Sequence, residues 1–152
     1  MKFVLICIIF ICITSIAIIN LKYYKSKQKL LSEIIDFLRT YASEVSFNKA
    51  SLIDVITKLS VKYSKNMKTL LSNYSNSMLY PSILNNNEKI VVSNIFNGMG
   101  KADVETEQGY INSAIEQMKT MLVEINNEYI TKGVLRSKLI FIFGIILILI
   151  LL

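Results

Sequence analysis

The feature that most limits the possible folds is an apolar stretch near the N-terminus. Residues 3–21 contain no charged side chain. As an α-helix this stretch rises roughly 28 Å, close to the ~30 Å hydrocarbon core of a bilayer. A cleaved signal peptide is the alternative, since Ser15 and Ala17 suit the small positions before a cleavage site. An uncleaved anchor is favoured because Ile18 and Ile19 continue the apolar run and the positive charges follow it.

A second apolar stretch forms the C-terminal end. Residues 139–152 contain no polar or charged side chain, but as a helix they rise only about 21 Å. Extending the stretch back to Gly133 includes Arg136 and Lys138, whose long side chains can reach the headgroups. The sequence therefore predicts a transmembrane segment at 1–21, a helical domain at 22–132 and a transmembrane segment at 133–152. The last segment is expected to be tilted, with a re-entrant tail as the alternative.

Basic residues flank both apolar stretches on the side of the central domain. They are Lys22, Lys25, Lys27, Lys29, Arg136 and Lys138. Because such clusters stay on the cytoplasmic side of membranes, they predict an integral protein of the cell membrane with its central domain in the cytoplasm. They also suit the anionic headgroups of a lipid bilayer. No basic groove interleaved with aromatic residues occurs, so nucleic acid is not expected as a partner.

The central domain has the sequence pattern of an all-α helical bundle. Helix breakers are scarce, with five glycines and one proline in the chain. Apolar residues recur at helical spacing from Lys29 to about Asn48, and Ser51 suits the N-cap of the next helix. A heptad pattern then begins near Asp103 and continues to Tyr129. Since no proline follows, we predict a membrane-anchored bundle with a long C-terminal helix running into the membrane segment.

No catalytic, metal or cofactor site can be assembled from the residue types present. Histidine, the commonest general base and metal ligand, is absent. Both cysteines, Cys7 and Cys12, lie inside the N-terminal apolar stretch, and no phosphate-binding GxxxxGK[ST] loop occurs. The carboxylates are spread evenly over helical positions, as on a solvated surface. A non-enzymatic protein without a cofactor is therefore expected.

Charge is divided unevenly along the central domain. Residues 22–68 contain 10 basic and 4 acidic side chains, whereas residues 101–128 contain 2 basic and 6 acidic ones. Either antiparallel helices neutralise one another within the bundle, or an acidic face that includes Glu116 and Glu124 meets a charged partner.

Three short motifs resemble the stage III sporulation protein AB family. The segment Glu44-Val45-Ser46-Phe47-Asn48, followed by Ser51-Leu52, is similar to the family pattern E-I-x-Y-G-x-x-P-L. The segment Met99-Gly100-Lys101-Ala102-Asp103, with Gln108 and Ile111, resembles L-G-x-S-D…Q…I, and Gly133-Val134-Leu135 resembles G-V-L. Their order and the layout of apolar ends match over nearly the whole chain. Departures occur at Phe47, Asn48, Ser51 and Ala102.

This resemblance implies a role in endospore formation, in an assembly that links mother cell and forespore. The family is similar to the platform protein of type II secretion and type IV pilus machines, which works beside a cytoplasmic secretion ATPase. The implied function is a scaffold in the mother-cell membrane. Its implied partners are the lipid bilayer, other membrane proteins of the sporulation assembly and a cytoplasmic secretion-type ATPase, with a homo-oligomer as a further option. A membrane-anchored adaptor or signal-relay protein unrelated to sporulation is the alternative.

The candidate interaction or structural residues follow from these motifs and from the acidic face. They are Glu44, Phe47, Gly100, Asp103, Gln108, Glu116 and Glu124. Two of them have simple structural alternatives, since Glu44 suits a salt bridge and Asp103 suits a helix cap.

Overall fold

The computed structural model describes residues 2–48 and 50–151, in which helices are joined by short turns. The all-α class is confirmed, and the described residues contain no strand. The elements are α1 (Lys2–Asn48), α2 (Leu52–Leu59), α3 (Lys65–Ser72), a 3₁₀ turn (Ser77–Leu79), α4 (Asn86–Gly98), α5 (Val104–Glu128), a π-helical turn (Tyr129–Val134) and α6 (Leu135–Leu151).

The chain divides into two compact units. The terminal unit contains residues 1–28 and 123–152, and the central unit contains residues 29–122. Both ends of the sequence thus contribute to one unit, whereas the central unit is a continuous stretch of chain.

The terminal unit pairs the first part of α1 with α6. In the described part of the chain, α1 is the one helix long and apolar enough to cross a membrane, with a mean hydropathy of 1.5 over an 18-residue window. The rings of Phe10 and Phe141 meet edge to face at 6.3 Å. Gly144 is buried, and a Cβ atom there would lie 2.5 Å from Cδ1 of Ile13. The absent side chain at Gly144 therefore lets the two helices approach closely.

The prediction of one long C-terminal helix running into a membrane segment is wrong in this detail. The backbone changes to a π-helical turn at Tyr129–Val134, and α6 then has 17 residues. Gly133 lies in this turn, and its carbonyl oxygen accepts a hydrogen bond from Nδ2 of Asn20 at 3.0 Å. A side chain that binds a helix carbonyl disturbs the regular hydrogen-bond ladder. The sequence has no proline at this point, so the change to a π-helical turn was not predicted.

The core of the central unit is built around one apolar face of α1. Leu30, Leu31, Ile34, Phe37, Leu38 and Tyr41 are each at most 1% exposed. Phe37 lies between aromatic neighbours: its ring stacks with Phe96 at 5.7 Å and with Tyr41 at 6.4 Å, and meets Tyr63 edge-on at 6.4 Å. The predicted helical stripe is confirmed. The seam of α5 is confirmed at Ile111 and Met118, which are fully buried.

Local signals fix most of the shorter helices. Ser51 caps α2 as predicted, because its Oγ accepts a hydrogen bond from the backbone N–H of Asp54. Asn85 and Glu88 form a reciprocal capping box that starts α4. The sequence predicts only a short helix over residues 89–96, ended by Gly98 and Gly100, and α4 begins three residues earlier. The helical spacing of Met67, Leu70, Leu71, Tyr74 and Met78 predicts a helix from Lys65 to Tyr80, but α3 ends at Ser72.

Candidate interaction site

Two of the family-like motifs meet in the central unit. Glu107, near the start of α5, is 1% exposed, and its Oε1 accepts hydrogen bonds from Tyr41 Oη at 3.2 Å and from the Gly100 backbone N–H at 2.7 Å. One residue further, Gln108 Nε2 donates to Ser46 Oγ. The end of α1 and the turn between α4 and α5 are therefore held together by buried and half-exposed hydrogen bonds. We call the surface that these residues form the motif junction.

The turn that enters the motif junction depends on Gly100 and Asp103. Gly100 has φ = +73°, the left-handed region that side chains with a Cβ atom disfavour. Asp103 Oδ2 accepts a hydrogen bond from the N–H of Thr106 at 3.4 Å. Hydrogen bonds from Thr106, first through its side chain and then through its backbone, lower the pKa of Asp103. The structural alternative for Asp103, a helix cap, is thus what the geometry shows.

Replacing Gly100 with alanine is expected to destabilise the central unit by about 1 kcal/mol, because alanine at positive φ is strained. The space itself is sufficient, since the nearest atom to a new Cβ would be Tyr41 Oη at 3.6 Å. Thermal unfolding of the full chain in detergent micelles measures the change. The matched control is Gly100→Asn, because asparagine tolerates this conformation and should cost less. Equal losses in both variants would contradict the backbone explanation.

Glu44 lies beside the motif junction in an ion pair between a half-buried carboxylate and an exposed lysine. Its Oε1 is 2.6 Å from Lys58 Nζ, and its Oε2 accepts a hydrogen bond from Asn48 Nδ2 at 2.6 Å. The hydrogen bonds from Lys58 and then Asn48 lower the pKa of Glu44. The pair ties the end of α1 to α2, which is the structural role considered for Glu44 from the sequence.

The contribution of this pair to stability should disappear in acid. A carboxyl group whose pKa is lowered by folding stabilises the fold above its ordinary pKa, 4.5, and loses that contribution as the pH falls through the lowered value. We expect Glu44→Gln to lower the unfolding temperature slightly at pH 7, and this difference to shrink as the pH falls below 4.5. A difference in unfolding temperature between the variant and the parent chain that does not decrease in acid would contradict this assignment.

A cavity of about 550 Å³ opens at the motif junction. Its wall includes apolar side chains such as Leu52, Ile53 and Val104, and Glu107 also lies in it. Oε2 of Glu107 is buried and has no hydrogen-bond partner within the described part of the chain. Burial and then the charge of Glu107 raise the pKa of the Tyr41 phenol, so this hydroxyl stays a donor. The cavity thus combines apolar side chains with polar and charged ones, among them Ser51, Lys101 and Glu107.

Sequence reasoning missed Glu107 and Tyr41 as partners. From the sequence, Glu107 falls among the evenly spaced carboxylates of α5 that suit a solvated surface, although it lies four residues before Ile111 and therefore shares its buried face. The helical spacing of α1 indicates that Tyr41 packs in the core, and it does not indicate a hydrogen-bond partner. If the buried seam of α5 is extended back from Ile111 by one helical turn, it includes Glu107. This spacing is the sequence signal that identifies the buried carboxylate.

The other candidate residues lie apart from the cavity wall. Phe47 is 84% exposed at the end of α1. Glu116 pairs with Lys119 at 2.6 Å within α5, and Glu124 is exposed. These two acidic residues of α5 therefore lie on a solvated face, unlike the buried Glu107. Among the described residues, no group of three or more Cys, Asp or Glu side chains could hold a metal ion.

The flanking basic residues differ in exposure. Lys22, Lys25, Lys29, Arg136 and Lys138 are exposed. Lys27 is 3% exposed, and its Nζ lies 5.9 Å from the ring centre of Tyr23. A cation over a tyrosine ring is attracted by the negative face of that ring. Lys27 is therefore part of the packing of its unit, which the charge pattern alone did not indicate.

Comparison with known families gives one match. The family model for stage III sporulation protein AB matches residues 76–152, about half of the chain. This range contains the turn at Gly100, all of α5 and the described part of α6. No curated protein and no solved structure matches the chain significantly.

Proposed function

This chain belongs to the stage III sporulation protein AB family, and from that premise we propose that it is a non-enzymatic membrane scaffold of a sporulation transport assembly. The assembly would connect mother cell and forespore, and the central unit would dock a cytoplasmic secretion-type ATPase. The sporulation role follows from the family. The scaffold and docking roles are the proposal, and the observation that carries them is the convergence of two family-like motifs at one cavity-bearing surface.

Membrane attachment is assigned to α1. Its charge-free N-terminal stretch is long enough for the hydrocarbon core, and the lysines that follow are exposed, apart from Lys27. By the distribution of positive charge, the central unit faces the mother-cell cytoplasm. An ATPase in that compartment would be able to reach the central unit directly.

The motif junction has the composition of a protein interface. Around its cavity, Ile53 is 63% exposed and Val104 is 40% exposed, and Phe47 is 84% exposed at the adjoining end of α1. Exposed carboxylates such as Glu105 lie on the neighbouring surface of α5. Interfaces typically combine an apolar centre with a polar rim, and exposed aromatic residues contribute strongly to their affinity.

The sporulation role is tested by deletion and complementation. In a strain without other members of the family, we expect deletion to abolish heat-resistant spores and the full chain to restore them. Fluorescence microscopy of stained membranes should show development stopping around the end of engulfment, as the family role implies. Normal numbers of heat-resistant spores after deletion would contradict the proposal and favour the membrane-anchored adaptor.

The docking role is tested with two matched surface variants. Phe47→Glu places a charge on the proposed interface, whereas Val61→Glu places one at a residue that is 80% exposed outside the cavity wall. Both should fold, since neither side chain is buried. We expect Phe47→Glu to reduce binding of the purified secretion-type ATPase to the full chain in micelles at least tenfold, and Val61→Glu to leave it unchanged. Equal binding by both variants would place the docking surface elsewhere.

A further inference from the structure

A second cavity, of about 510 Å³, lies in the terminal unit between α1 and α6. Its wall consists of Leu21, Tyr129, Val134, Ser137, Lys138, Phe141 and Ile142. From Val134 onwards these residues recur at helical spacing, so they follow one face of α6. Phe141 is 42% exposed and Ile142 is 52% exposed. The cavity is therefore a mostly apolar groove that is open along one side.

Contacts inside the terminal unit hold this groove in shape. Asn20 Nδ2 donates hydrogen bonds to the Gly133 carbonyl oxygen at 3.0 Å and to Ser137 Oγ at 3.1 Å. The ring of Tyr129 meets the ring of Tyr24 edge to face at 6.4 Å. The wall also includes both ends of the π-helical turn, and such turns occur frequently at functional sites. The groove is thus a built part of the unit.

The wall of the groove has a positive charge that no carboxylate balances. Lys138 is exposed, and among the described residues it has no ion-pair partner. The nearest acidic residue along the chain, Glu128, already pairs with Lys132 at 2.6 Å. Tyr129 adds a hydroxyl group to the same wall. The groove therefore suits a ligand that combines an anionic group with an apolar chain.

We propose that this groove binds one anionic phospholipid, with the phosphate group beside Lys138 and one acyl chain along Phe141 and Ile142. The position of the groove supports a lipid. Leu21 is the last residue of the charge-free stretch, so this end of the groove lies at the depth of the headgroups. Phe141 meets the ring of Phe10 at 6.3 Å, well inside the same stretch. The groove thus runs from headgroup depth into the hydrocarbon.

The side chains at the headgroup end fit this ligand. Tyrosine is enriched at the boundary between lipid and water, where Tyr24 and Tyr129 would lie. The long stem of Lys138 lets its ammonium extend back toward the phosphate. Basic pockets between membrane helices on the cytoplasmic side bind the headgroups of anionic lipids. A free phosphate ion would leave Phe141 and Ile142 uncovered, so the apolar wall argues for a lipid instead.

This inference rests on the membrane attachment proposed for α1. Its test titrates the purified full chain in detergent micelles with phosphatidylglycerol, or with phosphatidylcholine of the same acyl chains. Native mass spectrometry counts the lipids bound to each chain. We expect one phosphatidylglycerol to bind about fivefold more tightly than phosphatidylcholine, the usual effect of one lysine near an anionic surface. An excess of glycerol 3-phosphate, which has the charged group without acyl chains, should not displace it.

Two pairs of matched variants locate the site, and all four positions are exposed, so the variants should fold. Lys138→Gln should abolish the preference for phosphatidylglycerol. Arg136→Gln should keep it, because Arg136 lies in the wall of a separate cavity of the same unit. Ile142→Trp fills the groove and should weaken the binding of phosphatidylglycerol severalfold. Ile145→Trp should leave this binding unchanged, since Ile145 lies outside the wall.

Four outcomes would overturn the inference: equal affinity for the two lipids, loss of the preference in Arg136→Gln instead of Lys138→Gln, unchanged binding to Ile142→Trp, or displacement by glycerol 3-phosphate. Flotation with lipid vesicles separates the groove from the attachment. If the chain floats with vesicles but has no lipid preference in micelles, the membrane attachment stands and the lipid site fails. If the chain does not float with vesicles of either lipid, both fail.

Discussion

The Phe37→Ala variant is expected to lose about 3–5 kcal/mol of unfolding free energy, the usual cost of removing a fully buried phenylalanine. Phe37 is 0% exposed and contacts the rings of Tyr41, Tyr63 and Phe96. Its removal would leave a cavity between α1 and α4 and would remove three aromatic contacts. Since a domain of this size has roughly 5–15 kcal/mol in total, the loss is a large fraction of its stability.

Thermal unfolding of the full chain in micelles, followed by the tyrosine near-ultraviolet circular dichroism signal, measures this effect. A decrease of the midpoint by more than ~10 °C is expected. The matched control is Phe47→Ala on the same helix, since Phe47 is 84% exposed and should contribute less than about 0.5 kcal/mol. Similar midpoints for the two variants would mean that Phe37 is not at the centre of the core.

The Gly98→Ala variant is expected to destabilise the central unit by about 2 kcal/mol, a typical cost of inserting a group into occupied space. A Cβ atom at Gly98 would lie 2.1 Å from the hydroxyl oxygen of Tyr110. That hydroxyl donates to the carbonyl oxygens of Asn94 at 2.9 Å and Ile95 at 3.1 Å. The new methyl group would therefore displace Tyr110 from the end of α4.

A double-mutant cycle separates this steric effect from a general effect of alanine. In a Tyr110→Ala background, Gly98→Ala should cost nothing or should stabilise, because alanine favours a helix more than glycine does. Gly109→Ala is the second control, since Gly109 is exposed and a Cβ there would meet nothing within 4 Å. We expect it to stabilise by roughly 0.5–1 kcal/mol. A full Gly98→Ala penalty in the Tyr110→Ala background would refute the proposed clash.

The spacing of apolar residues along the sequence predicted the helices, because it reflects which face of each helix is buried. The stripe of α1 from Leu31 to Tyr41 and the seam of α5 around Ile111 and Met118 were both found this way. The cap at Ser51 was also predicted, since capping is a local property of a few adjacent residues. Membership of the stage III sporulation protein AB family followed from motif order.

The candidate site could be predicted only in part, because its contacts join residues far apart in the chain. The motifs around Glu44 and Gly100 were recognised separately, but nothing in the spacing showed that Tyr41 would reach Glu107. The π-helical turn at Tyr129–Val134 was missed for the same reason, since it accompanies the contact between Asn20 and Gly133. Local periodicity contains no information on such tertiary hydrogen bonds.

The separation between Tyr41 and Glu107 also determines when the central unit can form during synthesis. The two residues are 66 positions apart. At bacterial elongation rates of about 5–20 residues per second, the ribosome needs roughly 3–13 s to reach Glu107 after Tyr41. For most of that time the aromatic face of α1 has neither α4 nor α5 to cover it. The N-terminal apolar stretch therefore emerges, and can be engaged by the insertion machinery, before folding is possible, and a chaperone that shields nascent apolar surface would have several seconds in which to act.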